Sequence, residues 1–178
     1  MGVKKKSSGR SSAQVEVEAP ASAQSAAERK SAEAELRQLV DEFAPEHQRL
    51  IAALRQSLQK RLPTAHELVY EYRNLGAVVI SYSPSERGYE GVLALRASAD
   101  GVKLYFNQGK QLPDPEKLLK GSAQARWIAV EDVTTLSRPA VASLIDEAVA
   151  RNPVPFAPAG RGSVLIHSTS AKKKRRSD

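Results

Sequence analysis

The sequence predicts an α+β fold: an antiparallel sheet of about five strands, with N- and C-terminal helices packed on one face and disordered tails at both ends. Three observations carry that expectation. Apolar residues recur at helical spacing over Leu36, Leu39, Val40 and Phe43, and again over Leu50, Ile51, Leu54 and Leu58. Between residues 67 and 107, four short segments alternate apolar and polar side chains, with turn-forming residues between them. A last helical stripe, Val141, Leu144, Ile145 and Ala148, follows Pro139.

Residues 1–30 are rich in Ser, Ala, Gln and Lys and hold too little apolar surface to offset chain entropy, so they read as a disordered basic tail. The folded domain is expected over residues 31–153. Ser31 is placed to cap the first helix, Pro45 interrupts it, and Pro63 ends the second. Strands are predicted at 67–73 and 77–82 around the turn Asn74-Leu75-Gly76, then at 91–97 and 102–107 around the hairpin signal Asp100-Gly101. Residues 83–88 make the loop between the two pairs. Asp114-Pro115 offers an N-cap and a proline at a first helical position, and Gly121 a stop, so a short helix is predicted over 114–120. A fifth strand over Arg126–Val130 carries the single tryptophan, Trp127, and the last helix closes at Asn152-Pro153. Residues 154–178 read as a disordered basic tail, because their one apolar run, Val164-Leu165-Ile166, is too short to order it alone.

Composition narrows the function classes. The formal net charge is +7 in 178 residues. By segment it is +3 over residues 1–30, +5 over 161–178 and −1 over the body between them. The basicity therefore belongs to the tails. With no cysteine, thiolate catalysis, disulfides and Cys-ligated metal are excluded. No apolar run approaches the ~18 residues that span a bilayer, Lys4-Lys5-Lys6 is followed by no apolar signal region, and Lys6 stands where a myristoylation motif needs Ser or Thr. A soluble cytoplasmic protein without a membrane partner is the expectation.

Candidate chemistry is sparse. His47, His66 and His167 show no paired spacing for a metal or a catalytic dyad. Glu67 and Glu71 lie four residues apart on one face of the first strand. If that strand is an edge, they and the acids Asp41, Glu42 and Glu46 offer oxygen ligands to a hard cation; the competing reading is a solvated face. Tyr70, Asn74, Arg87 and Tyr105, with Tyr72 and Tyr82, are candidates to line a binding pocket; the competing reading is sheet core with hydroxyls at its rim. Asp114 reads as a cap rather than a functional acid. The run Lys172, Lys173, Lys174, Arg175, Arg176 is suited to weak, salt-dependent contact with polyanions or to solubilising a tail.

Several stretches together resemble the YdhG-like family, a bacterial domain family of unknown function: Leu62-Pro63, Glu67-Leu68-Val69-Tyr70, Asn74, Pro84-Ser85-Glu86-Arg87, Leu104-Tyr105-Phe106, Gly109, Leu112-Pro113-Asp114-Pro115 and Leu118-Leu119-Lys120-Gly121. The resemblance covers roughly residues 35–151. It departs at Tyr72 and Arg73, where the family often has a second Asn and then an aromatic, and at Ala123, where a glycine is usual. The resemblance implies a frataxin-like fold and, through relatives regarded as iron chaperones, iron as cofactor or cargo.

Three expectations follow. The first is a non-enzymatic binding or chaperone domain, for iron if Glu67 and Glu71 serve. The second is a small-molecule pocket or unrecognised enzyme at Tyr70, Asn74, Arg87 and Tyr105. The third is a nucleic-acid-associated protein acting through its basic tails.

Overall fold

The computed structural model describes residues 23–168. It is α+β, with three helices and a six-stranded mixed sheet of order β5-β4-β3-β2-β1-β6. Of the predicted tails, 1–30 and 154–178, the parts at 1–22 and 169–178 lie outside the described residues, whereas residues 26–30 belong to the first helix and not to a disordered tail.

Helix α1 spans Ala26–Val40 and starts five residues before the predicted Ser31. A capping box sets its start: the Ser25 hydroxyl accepts from the Glu28 amide, and the Glu28 carboxylate accepts from the Ser25 amide. Pro45 at the first helical position opens α2, Pro45–Arg61, whose Ile51, Leu54 and Leu58 are buried. The strands follow as β1 (His66–Tyr72), β2 (Ala77–Ser83), β3 (Leu93–Ser98), β4 (Gly101–Phe106) and β5 (Arg126–Val130), each antiparallel to the one before. Gly76 closes the β1–β2 turn at φ +55°, a left-handed position suited to glycine. Helix α3, Pro139–Arg151, buries Val141, Leu144, Ile145 and Ala148, the predicted stripe.

Two expectations are corrected. Residues 114–120 form no helix. The Asp114 carboxylate accepts from the Leu118 and Leu119 amides at 2.9 Å each, so it caps a turn. Lys117 is left-handed at φ 53°, which ends any helical path, and the Lys120 backbone bridges to Trp127. So short a helix has little stability of its own, and these tertiary bonds override it.

The second correction concerns the C-terminal boundary. The domain does not stop at residue 153, because Val164–Ser168 forms β6, parallel to β1. The sheet therefore has six strands and is not purely antiparallel. β6 is anchored by partners distant in sequence. Gln24 donates to the Val164 carbonyl at 2.7 Å and accepts from its amide at 3.0 Å, satisfying edge groups that β1 does not reach. The Ser163 amide donates to His66 Nδ1 at 3.1 Å, and Arg29 donates to the Gly162 carbonyl at 2.7 Å. Gly162 lies so close to the Ala65 backbone that no Cβ fits there.

Register separates the sheet's two faces. Val69, Ile80, Leu95, Leu104 and Ile128 form one row across β1 to β5, and all are buried in a single core with α1, α2 and α3. The helices thus occupy one face. Strand alternation puts Tyr70, Val79, Arg96, Lys103 and Ala129 in a row on the other.

Candidate functional site

Glu67 is on the helix-covered face and only 2% exposed. Its Oε1 accepts from Arg55 Nε and the Tyr82 hydroxyl, both at 3.0 Å; its Oε2 accepts from Arg55 at 2.6 Å and Gln59 at 3.0 Å. Arg55 also forms a two-pronged bond to Glu33 on α1, at 2.8 and 2.9 Å. One guanidinium therefore links α1, α2 and β1. Burial disfavours the charge of Arg55, but its bonds to Glu33 and Glu67 outweigh that and raise its pKa. The bond from Arg55 holds the Glu33 carboxyl below its usual range, against partial burial. Burial, reinforced by the Glu67 charge, pushes the Tyr82 phenol well up, so it stays a proton donor.

The cation site expected at Glu67 and Glu71 is therefore corrected at Glu67. β1 is not an edge strand, since β6 flanks it, and both oxygens of Glu67 are already engaged by donors. Glu71 pairs with Arg73 at 2.8 Å. Among the described residues, no group of three or more His, Asp or Glu side chains is placed to hold a metal ion.

The four residues expected to share a pocket are not brought together. Tyr70 and Tyr105 share the uncovered face, but on β1 and β4, three strand spacings or roughly 14 Å apart. Asn74 is in the β1–β2 turn, and Arg87 in the loop that leaves the other end of β2, where it lies 3.6 Å from Glu90. Tyr70 stacks instead on His167 of β6, with ring centroids 5.1 Å apart, and partial burial raises its pKa.

What the structure assembles is a different set. Tyr72, Leu75, Val79, Arg96, Tyr105 and Asn107 line a shallow trough of about 280 Å³ on the uncovered face. The Arg96 guanidinium is 3.5 Å from the Tyr105 hydroxyl. Next to Tyr105 across the β4–β5 pair is Trp127, its ring centroid 6.5 Å away. The Lys103 ammonium sits 4.2 Å from the centre of the Trp127 ring and that of Lys120 5.5 Å from it. The loop after β2 covers the middle of this face: Gly88 lies against Tyr70, and the Gly91 carbonyl accepts from Asn107 at 2.6 Å. Arg96, Lys103 and Trp127 were not singled out as site residues. Their signal was the period-2 alternation of β3, β4 and β5, which puts them on the face of Tyr105.

A larger cleft of about 800 Å³ lies between the α1–α2 turn and the β1–β2 turn, lined by Phe43, His47, Glu71 and Arg73 among others. Its charged groups largely answer one another. The Glu71 bond raises the pKa of Arg73, and the nearby Glu42 adds to it.

No protein-family model, curated protein or solved structure matches this chain.

Proposed function

We propose that this protein is a non-enzymatic binding domain that takes its ligand on the uncovered face of its sheet. One observation carries this reading: the helix-free face presents aromatic rings and cations around a shallow trough, while the buried ionic groups of the opposite face are bonded to one another. Half-buried rings with polar tips are suited to binding, because they contribute contact area at little cost in ordering. Two N-terminal helices, a sheet and a C-terminal helix sharing one core support a YdhG-like, frataxin-like assignment, which we retain as part of the proposal. An iron-delivery role in such a domain needs donors other than Glu67.

Amide chemical-shift mapping of the full chain tests the reading. The panel is a single-stranded 12-mer oligonucleotide, a mononucleotide, an oligosaccharide and ferrous iron. Members that bind should shift amides around Tyr72, Arg96, Tyr105 and Trp127. Shifts confined to the Phe43–Arg73 cleft, or no binding by any member, would overturn it.

A further inference from the structure

We infer that the ligand of the sheet face is single-stranded nucleic acid; this rests on the sheet-face reading above and names its ligand class. Charge complementarity is the first argument. The only carboxylates within the six strands, Glu67 and Glu71, are on the helix-covered side, whereas Arg96 and Lys103 are on the uncovered side and Lys120 reaches the Trp127 ring. That side therefore attracts a polyanion with no opposing carboxylate in its strands.

Ring placement is the second argument. Tyr105 and Trp127 are lateral neighbours, Tyr72 lines the same trough as Tyr105 from β1, and Tyr70 with His167 forms a stacked pair nearer the β6 edge. Unpaired bases have free π-faces that such rings can stack on, and every base offers one, so binding tolerates sequence. Bases in a duplex are already stacked and are not available to a flat sheet. Rings for the bases and cations for the phosphates thus share one surface: Lys103 and Tyr105 follow each other along that face of β4, and Lys103 sits over the Trp127 ring of β5. The five cations Lys172, Lys173, Lys174, Arg175 and Arg176 add a sequence-independent attraction that the test must separate from the sheet.

Trp127, the only tryptophan, is the reporter. A fluorescein-labelled, mixed-sequence single-stranded 12-mer is titrated with full-length protein, reading anisotropy and Trp127 emission together. Binding should change Trp127 emission and weaken about 20-fold between 50 and 200 mM salt, if Arg96, Lys103 and Lys120 each neutralise one phosphate. Tyr72→Ala/Tyr105→Ala should weaken it by roughly tenfold or more, while Tyr72→Phe/Tyr105→Phe, which keeps the rings, stays within about twofold of the parent by the same stacking argument. Should the alanine pair not fold, Arg96→Gln/Lys103→Gln serves instead, and the slope of log affinity against log salt should fall by about 1.4. Binding unchanged in these variants but lost when residues 172–176 are replaced by Gln assigns it to the tail and overturns the inference. If the oligosaccharide but not the 12-mer changes Trp127 emission, the inference falls and the sheet-face reading stands. If neither does, the inference falls, and the sheet-face reading falls with it when the mononucleotide and ferrous iron also leave the sheet-face amides unshifted.

Discussion

The two faces of the sheet are made by the same strands and have opposite chemistry. On one, Val69, Ile80, Leu95, Leu104 and Ile128 sit in register under three helices, each no more than 5% exposed. On the other, the adjacent row is Tyr70, Val79, Arg96, Lys103 and Ala129, half-buried or exposed. Alternation with period 2 is enough to create both, so each strand residue belongs to one face or the other by parity alone. The instructive exception is Glu67. It is a carboxylate on the covered side, and the protein accommodates it by surrounding it with Arg55, Gln59 and Tyr82 rather than by leaving it for a ligand. Ionic groups on the covered face hold the fold together; ionic groups on the uncovered face remain positioned to meet something else.

The strongest way to break that contrast is at Glu67 itself. Glu67→Leu leaves Tyr82 and Gln59 without their buried acceptor and removes one of the two carboxylates that offset the burial of Arg55. By the cost of breaking buried pairs, it should destabilise the domain by about 3 kcal/mol or more. The combined change Glu67→Leu/Arg55→Met/Tyr82→Phe removes the donors as well and should recover much of the loss. Urea unfolding followed by circular dichroism measures both. A triple variant no more stable than the single one would show that the network does more than satisfy its own members. Tyr82→Phe alone, which deletes one buried donor to Glu67, should cost about 1–2 kcal/mol in the same assay.

These residues also show where sequence reasoning runs out. The helices, the first five strands and the α3 stripe were legible because each has its own periodicity. β6 was not: a five-residue strand in a Pro- and Gly-rich stretch has no local stability, and its pairing partner β1 is 97 residues earlier. The false helix at 114–120 arose because a capping aspartate followed by proline signals a turn as well as it signals a helix. At the site, alternation correctly put Glu67 with Glu71 and Tyr70 with Tyr72, but it cannot say which face the helices cover. The residues between the two acids do not decide it either, because Leu68 and Val69, one on each face, are both apolar and both fully buried. Arg55, on another element, supplies the decisive contact, and no spacing within β1 encodes that.

A smaller effect should appear at β6 on acidification. Burial lowers the pKa of His66, against a weaker pull upward from Glu86, and its Nδ1 accepts from the Ser163 amide, so the folded state holds the ring neutral. Below the unfolded-state value near 6.5, the unfolded chain binds the proton more readily than the folded one. The contribution of His66 is therefore complete above about pH 6.5 and is lost as the pH falls through the lowered folded value. Amide exchange of β6 measured at pH 7.5 and 5.5, corrected for the intrinsic rate, should show loosening at the lower pH. His66→Asn, whose side-chain oxygen can accept in place of Nδ1, should flatten that change; an undiminished change would place the titrating group elsewhere.

The smallest stability effect is expected on the uncovered face, and that smallness is itself the test of the contrast. Arg96 and Lys103 lie on the side away from the helices, and their contacts are to Tyr105 and to the Trp127 ring. Replacing both by Gln keeps part of the aliphatic stem and a polar end and removes two charges that repel each other on adjacent strands, where Arg96 and Lys103 are directly paired. The unfolding free energy should therefore stay within about 0.5 kcal/mol of the parent, or rise slightly. A loss near that of Glu67→Leu would mean that the uncovered face holds the fold as the covered face does, and the division of labour between the faces would disappear. A neutral change in stability, with weakened binding of the single-stranded 12-mer, places the two cations in recognition rather than in folding.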